Sequence, residues 1–217
     1  MIRDVPVVGP FLVRVRQMGF KSSGEYWEDR YKAGGNSGAG SYNRLARFKR
    51  DFLNQFVAEN QVASVIEFGC GDGSQLKLAE YPSYVGVDVS SKAVEICRAI
   101  FSGDVSKRFV QLDELDSNCS AELSLSLDVV YHLVEDSVFE EYMRRLFATA
   151  RRFVIVYSSD IDEVSVVKHV RQRKFTRWVG ENEPDWHLVS TVKNAYPFDA
   201  ADPDNTSFAD FFVFARR

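Results

Sequence analysis

Apolar residues recur along the chain with two different spacings, which alternate from residue 45 onwards. A spacing of three to four residues predicts helices, and short apolar runs rich in β-branched residues predict strands. The helical spacing covers residues 45–59, 74–80, 91–101 and 137–150. The strand-like runs cover residues 62–68, 84–89, 108–112, 123–130, 153–157, 186–192 and 208–215.

The order of these elements predicts the fold. Strands that alternate with helices form a parallel sheet that is covered on both faces. Only a polar loop with a proline separates the last two predicted strands, so the final strand should run antiparallel to its neighbours. We therefore predict an α/β fold with a doubly wound, mostly parallel seven-stranded sheet, Rossmann-like in architecture, and an antiparallel C-terminal strand.

The first part of the chain lacks this alternation. Residues 21–45 combine aromatic residues with five glycines, which predicts a flexible loop that still makes specific contacts. Prolines and charged residues interrupt the apolar run of residues 1–20, which therefore predicts neither a signal peptide nor a membrane span. We expect a helix there that docks on the domain or on a second subunit of a homodimer, with a weak membrane-surface contact as the alternative. The apolar side of this helix would comprise Phe11, Leu12, Val15 and Met18.

Composition and charge narrow the class of protein. The chain has 217 residues, 45% apolar and 27% charged, which is typical of one soluble α/β domain. Its net charge of −4 argues against general binding to nucleic acid, whose phosphates require a basic surface. The three cysteines are odd in number and form no close-set pair, so we expect no metal site and a reducing, cytoplasmic location.

The segment V-I-E-F-G-C-G-D-G-S-Q-L, residues 65–76, carries the clearest chemical signal. Gly69, Gly71 and Gly73 follow a predicted strand, where open α/β sheets bind their ligands. Such turns hold dinucleotides, nucleoside phosphates or S-adenosylmethionine. Ser74 stands where a dinucleotide fingerprint has its third glycine, and the lysine of a phosphate-binding loop is missing, so both of those alternatives are weakened.

An acidic residue two positions before G-x-G-x-G resembles the motif of class I S-adenosylmethionine-dependent methyltransferases, and the likeness extends over roughly residues 62–160. It implies that the three glycines let the backbone approach the methionine and ribose portions of the cofactor closely. Glu67 matches the acidic position that helps to orient the methionine amino group. Tyr42 is expected to reach the same end of the cofactor.

Three further acidic residues match this family near successive strand ends. The resemblance implies that Asp88 accepts hydrogen bonds from the ribose hydroxyls and that Asp113 contacts the adenine amino group. Asp128 falls in the fourth-strand motif that faces the methyl group, which makes it a candidate for catalysis as well as for cofactor binding. Helix capping is the alternative role for Asp88 and Asp113.

Other segments resemble a bacterial branch of small methyltransferases that is often linked to glycan and polysaccharide modification. They are Y-W-E-D-R-Y at 26–31, S-G-A-G-S-Y-N-R-L-A-R-F-K at 37–49, D-V-V-Y-H-L-V-E-D at 128–136 and H-V-R-Q-R-K-F-T-R-W at 169–178. The likeness implies that residues 1–60 form a helical segment with a lid and residues 61–217 the cofactor-binding domain, in one compact unit. Tyr31 of the lid is a candidate substrate contact, and plain packing with Trp27 on a helix face is the alternative.

Methylation of a hydroxyl requires a group that takes its proton, and His132 is our candidate for this base. It lies four residues after Asp128, at the end of the fourth predicted strand, and histidine titrates near neutral pH. The alternative is a histidine hydrogen-bonded within the following turn. Glu135 and Asp136 either orient the imidazole or, as we favour, begin the next helix.

The run K-H-V-R-Q-R-K-F-T-R, residues 168–177, carries five lysines and arginines and no acid. His169, Arg171 and Arg173 are therefore candidates for binding an anionic acceptor. A solvated helix face, or pairing with the acidic residues of 181–185, is the alternative.

These patterns predict an enzyme that uses S-adenosylmethionine, and releases S-adenosylhomocysteine, to O-methylate a saccharide or similar small polar acceptor. An N-methyltransferase of a small amine remains open, because such a reaction needs no strong base. A non-catalytic module that binds the cofactor is the alternative from another class.

Overall fold

The computed structural model of the protein describes residues 20–163, 165 and 167–217. The strands are β1 (Val65–Phe68), β2 (Tyr84–Asp88), β3 (Lys107–Gln111), β4 (Ala121–Leu127), β5 (Ala150–Ser158), β6 (Trp186–Val192) and β7 (Asp210–Arg216). The described helices are α1 (Ser23–Lys32), α2 (Asn43–Glu59), α3 (Ser91–Ile100), α4 (Asp136–Ala148) and α5 (Phe175–Asn182). The helix predicted around Phe11, with its membrane or subunit contact, lies outside the described residues. Within the described part of the chain, no helix has both the length and the apolarity needed to cross a membrane.

The seven strands form one sheet in the order β3-β2-β1-β4-β5-β7-β6. Neighbouring strands from β3 to β5 are parallel, whereas β7 is antiparallel to both β5 and β6. This topology confirms the predicted Rossmann-like sheet with its antiparallel C-terminal strand. The strand order reverses between β1 and β4, which is where doubly wound folds bind their ligands.

Both faces of the central strands are buried, because side chains on one strand alternate between two apolar layers, whereas the edge strand β6 is largely exposed. Val65 of β1 packs with Leu53 and Val57 of α2, and with residues of α3. Its neighbour Ile66 packs on the opposite face with residues of α4 and α5, Met143 and Phe175 among them. The helices therefore cover the sheet in two pairs, as the predicted alternation of strands and helices requires.

The structure corrects the prediction that residues 21–45 form a loop, because α1 occupies Ser23–Lys32. Its N-cap is Ser22, whose side chain accepts a hydrogen bond from the backbone N–H of Glu25 at 3.2 Å. The helix is rich in polar residues and buries only four side chains, so its sequence carries little helical periodicity. Contacts with distant residues, described below, hold it in place.

Residues 74–80 form a short 3₁₀ turn at Leu76–Leu78 where the sequence predicts a longer helix. Asn54 of α2 explains the difference, because its side-chain amide donates to the carbonyl of Leu78 and accepts from the backbone N–H of Glu80, each at 3.1 Å. These bonds take up backbone groups that a continuing helix would use for itself. The short helix α5, within and after the basic run, was likewise not predicted.

Gly86 of β2 offers a test of this packing. A Cβ there would lie 2.7 Å from Cδ1 of Phe109 and 3.0 Å from Sγ of Cys70, whereas a Cβ on Gly103 would have no neighbour within 4 Å. We expect Gly86→Ala to lower the free energy of unfolding by about 1–3 kcal/mol through overpacking. Gly103→Ala should change it by less than about 0.5 kcal/mol. Urea unfolding of both variants checks the difference, and equal stabilities would show that this contact is not tight.

Candidate functional site

A cavity of about 420 Å³ opens at the carboxyl ends of β1, β2 and β4. This volume lies within the range of about 300–1,000 Å³ that small-molecule sites occupy. Its floor comes from the turn after β1 and from the ends of β2 and β4, and α1 contributes Trp27 and Tyr31 from the other side. The cavity therefore lies at the strand-order reversal identified above.

The glycine turn after β1 has the backbone conformation that its sequence predicts. Gly69, Gly71 and Gly73 have φ values of 83°, 56° and 74°, a region that favours glycine. A Cβ on Gly71 would also stand 2.3 Å from Oγ of Ser37. Glycine is thus needed both for the shape of the turn and for the close approach of the segment that precedes the sheet.

Asp88, at the end of β2, holds this turn from below. Its carboxylate accepts hydrogen bonds from the backbone N–H groups of Gly71 and Ser90, both at 2.9 Å. Burial raises the pKa of the carboxyl to about 6, although the backbone hydrogen bonds favour its ionised form. The N-cap of α3 is Ser90 and not Asp88. Asp88 accepts from the backbone N–H of that capping residue and also lines the cavity.

Glu67 of β1 is buried in the same wall. Its Oε2 accepts a hydrogen bond of 2.6 Å from the hydroxyl of Tyr84. Burial raises the pKa of Glu67 to about 7, and the nearby Lys49 opposes that rise. A positively charged group in the cavity would favour the ionised carboxylate.

Asp128 follows β4 in a left-handed conformation, with φ of 60°. Its Oδ2 lies 2.6 Å from Nζ of Lys49, and its Oδ1 accepts a hydrogen bond of 2.9 Å from the hydroxyl of Tyr131. Lys49 lies on α2 with a side chain only 1% exposed, and sequence reasoning missed it. The signal was present, since Lys49 interrupts an apolar row that runs at intervals of four through Leu45 and Leu53.

His132 lies in the 3₁₀ turn Val130–His132, just beyond Asp128, and lines the cavity. Its Nδ1 is 2.9 Å from the carbonyl oxygen of His169, a contact that a neutral imidazole makes with Nδ1 protonated and Nε2 free to accept. The edge of Trp27 packs against the ring, with centroids 5.0 Å apart. Burial lowers the pKa of His132 to about 4, so the imidazole is neutral at physiological pH.

Helix α1 lines one side of the cavity and is anchored at its N-terminus and near its middle. At its N-terminus, Ser23 donates from its backbone N–H and its hydroxyl to Glu135, at 3.0 and 2.6 Å. Further along, the Glu28 carboxylate accepts from the hydroxyls of Ser90 and Ser91 at 2.5 and 3.0 Å. Burial would raise the pKa of Glu28, but these hydrogen bonds and Lys32 outweigh burial and hold it at about 2. The anchor is therefore ionised at any physiological pH.

Tyr42 lies behind the glycine turn and is not part of the cavity wall. Its hydroxyl donates to Oδ2 of Asp72 at 2.7 Å and accepts from the hydroxyl of Ser74 at 3.0 Å. Asp72 also accepts from the backbone N–H of Ser37 at 3.0 Å. Tyr42 thus fastens the turn to the segment before the sheet, whereas Tyr31 reaches the cavity and contacts Ser37 at 3.0 Å.

Other predicted site residues lie elsewhere. Asp113 is exposed after β3, and its neighbour Leu112 lines the cavity in its place. Arg171 and Arg173 both pair with Asp136, at 2.8 and 3.0 Å, and both donate to the carbonyl of Val134 at 2.9 Å. The structure therefore gives these arginines a role in holding the loop after β4, and does not bring them into the cavity.

His169 supports the site from outside the cavity wall. Its ring stacks between Tyr26 of α1, at 4.5 Å, and His132, at 5.6 Å. Its carbonyl fixes the His132 tautomer, as described above. Burial and Arg30 lower the pKa of His169, so it is also held toward its neutral form.

The charges around the cavity suit a cationic ligand. Among the described residues, the lining carboxylates belong to Glu67, Asp88, Asp128, Glu135 and Glu141, and the lining cations to Lys49 and Arg145. Gln75 adds a buried Oε1 without a hydrogen-bond partner among the described residues. Excess negative charge, an unsatisfied acceptor and a turn open to close backbone approach together fit S-adenosylmethionine, which carries a sulfonium, an ammonium and a ribose.

Solved structures share this fold. Magnesium protoporphyrin IX methyltransferase (ChlM) from Synechocystis PCC 6803, with bound S-adenosylhomocysteine, matches with a TM-score of 0.64 at 15% identity, covering 94% of this chain and 100% of that one. The N-methyltransferase NodS from Bradyrhizobium japonicum WM9, also with S-adenosylhomocysteine, gives 0.68 at 14% identity and covers 91% and 99%. The small RNA methyltransferase HEN1 gives 0.58 at 14% identity and covers 82% of this chain but 26% of that one.

Sequence comparison identifies the family. No curated protein matches the chain. The family model described as "Methyltransferase domain" matches residues 42–194, which is more than half of the chain and includes the glycine turn, Asp88, Asp128 and His132. The chain therefore belongs to this methyltransferase-domain family and is an S-adenosylmethionine-dependent methyltransferase of class I.

Proposed function

We propose that the protein O-methylates a saccharide or a similar small polar acceptor in the cytoplasm. The observation that carries the proposal is the neutral His132 in the cavity wall, whose Nδ1 is engaged by a carbonyl. No hydrogen-bond partner of Nε2 occurs among the described residues, so this nitrogen can accept a proton. A hydroxyl needs such an acceptor when it is methylated.

The proposed mechanism assigns each residue a step. S-adenosylmethionine, when bound, supplies a methyl group on a positively charged sulfur. The acceptor oxygen would bond to the methyl carbon as the carbon–sulfur bond breaks with its electron pair left on sulfur, and His132 would take the hydroxyl proton at Nε2. Glu67 and Asp88 would hold the cofactor. Asp128, which accepts a hydrogen bond from Tyr131, lines the end of the cavity next to His132. Helix α1 excludes water from above.

Aromatic side chains near this end support a ring-shaped acceptor. Phe208 and Phe198 are 41% and 54% exposed, and their ring centroids lie 6.2 Å apart. Phe208 packs edge-on against Tyr131 at 5.0 Å, and Tyr131 is bonded to Asp128 in the cavity. Exposed aromatic rings can stack on the apolar face of a sugar.

The loop that carries these phenylalanines, residues 193–209, is fixed to α2 by Arg44. This side chain donates to the carbonyl of Asn205, pairs with Asp202 at 3.1 Å and lies over the ring of Tyr196 at 4.5 Å. The loop is therefore held in one place relative to the cavity, as a specific acceptor site requires.

Methylation of an amine is the second candidate. The excess of carboxylates around the cavity favours it, since an amine acceptor is cationic before it loses its proton, and NodS is an N-methyltransferase of the same fold. Nucleic acid is disfavoured as an acceptor, although HEN1 is a small RNA methyltransferase. The net charge is −4, and Arg171 and Arg173 are paired with Asp136.

A transfer assay tests the proposed function. Purified protein is incubated with methyl-labelled S-adenosylmethionine and panels of sugars, nucleotide sugars, oligosaccharides, small amines and RNA, and products are identified by mass spectrometry. We expect label on a hydroxyl of a saccharide. Label found only on amine nitrogen would replace the first proposal with the second, and label on RNA would contradict both.

His132→Gln separates the base from the binding site. Glutamine keeps a polar side chain but cannot take a proton, so kcat for a hydroxyl acceptor should fall by roughly 10²- to 10⁴-fold. The Kd for S-adenosylhomocysteine, measured by calorimetry, should change by less than about 2-fold, because His132 is assigned to the acceptor. His187→Gln is the matched control, since His187 is exposed on β6. A His132→Gln enzyme with full kcat would remove His132 as the base.

The affinity for S-adenosylhomocysteine should rise with pH between about 5.5 and 7.5. Burial raises the pKa values of Glu67 and Asp88 to about 7 and 6, so both carboxyls are partly protonated in the free protein at the low end of this window. The ligand ammonium and ribose hydroxyls favour the ionised forms, so binding releases protons and tightens as pH rises, by roughly 10-fold for each proton released and pH unit. Calorimetry in two buffers measures the release.

Glu67→Gln should flatten this pH profile while keeping the shape of the side chain. A wild-type Kd that does not change with pH would contradict the assignment of the two carboxylates to the ligand. The His132 imidazole does not confuse the result, since its pKa of about 4 lies below the window.

A further inference from the structure

Lys49 is a buried charge that lines the cavity and that the proposed reaction does not use. Its side chain is 1% exposed, and its ammonium lies 2.6 Å from Oδ2 of Asp128 and 5.3 Å from the ring centroid of Tyr157. Burying an ammonium costs several kcal/mol unless other groups compensate it. Helix packing alone does not account for the burial of this charge.

The pair with Asp128 leaves part of the ammonium free. A lysine ammonium has three N–H donors, and Asp128 is the one hydrogen-bond partner that Lys49 has among the described residues. On the other side of the pair, Asp128 uses Oδ1 to accept from Tyr131. The ammonium can thus bind an anion in the cavity without giving up Asp128.

The second cation of the cavity lies at the opposite end. Arg145 pairs with Glu141 at 2.7 Å and donates to the carbonyl of Leu112 at 3.2 Å, which places it beside β3. Lys49 lies beside β4, and β2 and β1 separate β3 from β4 in the sheet. A ligand with one carboxylate and one nucleoside end therefore has a partner for its carboxylate at the Lys49 end.

We propose that Lys49 binds the α-carboxylate of the methionine portion of S-adenosylmethionine, while Asp128 and Glu67 receive its ammonium. The negative carboxylate of the amino-acid end then pairs with the Lys49 ammonium, and its positive ammonium pairs with the carboxylates of Asp128 and Glu67. Lys49 thereby makes the site select the intact cofactor over adenosine thioethers that lack the amino-acid end. The proposal rests on the cofactor alone and not on the acceptor, so a failed acceptor assay leaves it standing.

Two related ligands test this role by calorimetry. S-adenosylhomocysteine has the amino-acid end, whereas 5′-methylthioadenosine lacks it and shares the thioether and the nucleoside. Lys49→Met removes the charge and keeps an unbranched side chain. We expect the affinity for S-adenosylhomocysteine to fall roughly 10- to 100-fold, the range of a charge-assisted hydrogen bond. The affinity for 5′-methylthioadenosine should change by less than about 2-fold.

The control and a second variant make the result decisive. Lys77→Met removes an exposed lysine and should leave the ratio of the two Kd values unchanged. If Lys49→Met does not fold, because Asp128 is left as an uncompensated charge, Lys49→Met with Asp128→Asn removes both charges and is compared with Asp128→Asn alone, which loses only a contact to the ammonium. The double variant should prefer S-adenosylhomocysteine over 5′-methylthioadenosine roughly 10-fold less than Asp128→Asn does. Equal losses for both ligands, an unchanged ratio in either variant, or a wild type that does not distinguish the ligands would overturn the proposal.

Discussion

The site depends on the close approach of three segments at Gly71. From below, Asp88 accepts its backbone N–H, and from above, Ser37 and Tyr31 stand where a Cβ would be. Each contact requires the left-handed turn that glycine permits. Because β1, β2 and the segment before the sheet meet there, the turn fixes the floor of the cavity and its cover at once. The remaining site residues are arranged around a backbone that is already in place.

The sheet could be predicted because its information is local. Val65 and Ile66 sit on adjacent positions and enter opposite cores, which is the alternation that a doubly covered strand requires. Helix α1 could not be predicted in the same way. Its anchors join Ser23 to Glu135 and Glu28 to Ser90, which are 112 and 62 residues apart, and no window of the sequence contains both partners. Tertiary contacts, rather than helix propensity, decide its conformation.

The residues of the candidate site likewise divide into those that local sequence patterns reveal and those that depend on tertiary contacts. The position of Glu67 and Asp88 in the cavity wall could be predicted, because both stand at fixed distances from a strand end and a glycine turn. The pairing of Arg171 and Arg173 with Asp136 could not be predicted, since a run of like charges does not reveal which acidic residue lies opposite it. Lys49 was missed because a lysine within a helix is ordinary until its burial is known. Charge type is visible in a sequence, but charge pairing is a property of the fold.

Helix α2 carries Arg44, which holds the loop 193–209, and five residues later Lys49, which pairs with Asp128. At a rise of about 1.5 Å per residue, the five residues between these positions span about 7.5 Å along the helix axis. The helix therefore fixes the distance between the loop with the exposed phenylalanines and the end of the cavity beside Asp128. A sequence change in that loop can alter the shape of its surface while the helix keeps the loop at the same distance from Asp128. Specificity for a new acceptor can thus evolve through this loop without a change in its distance from the end of the cavity where the methyl group is transferred.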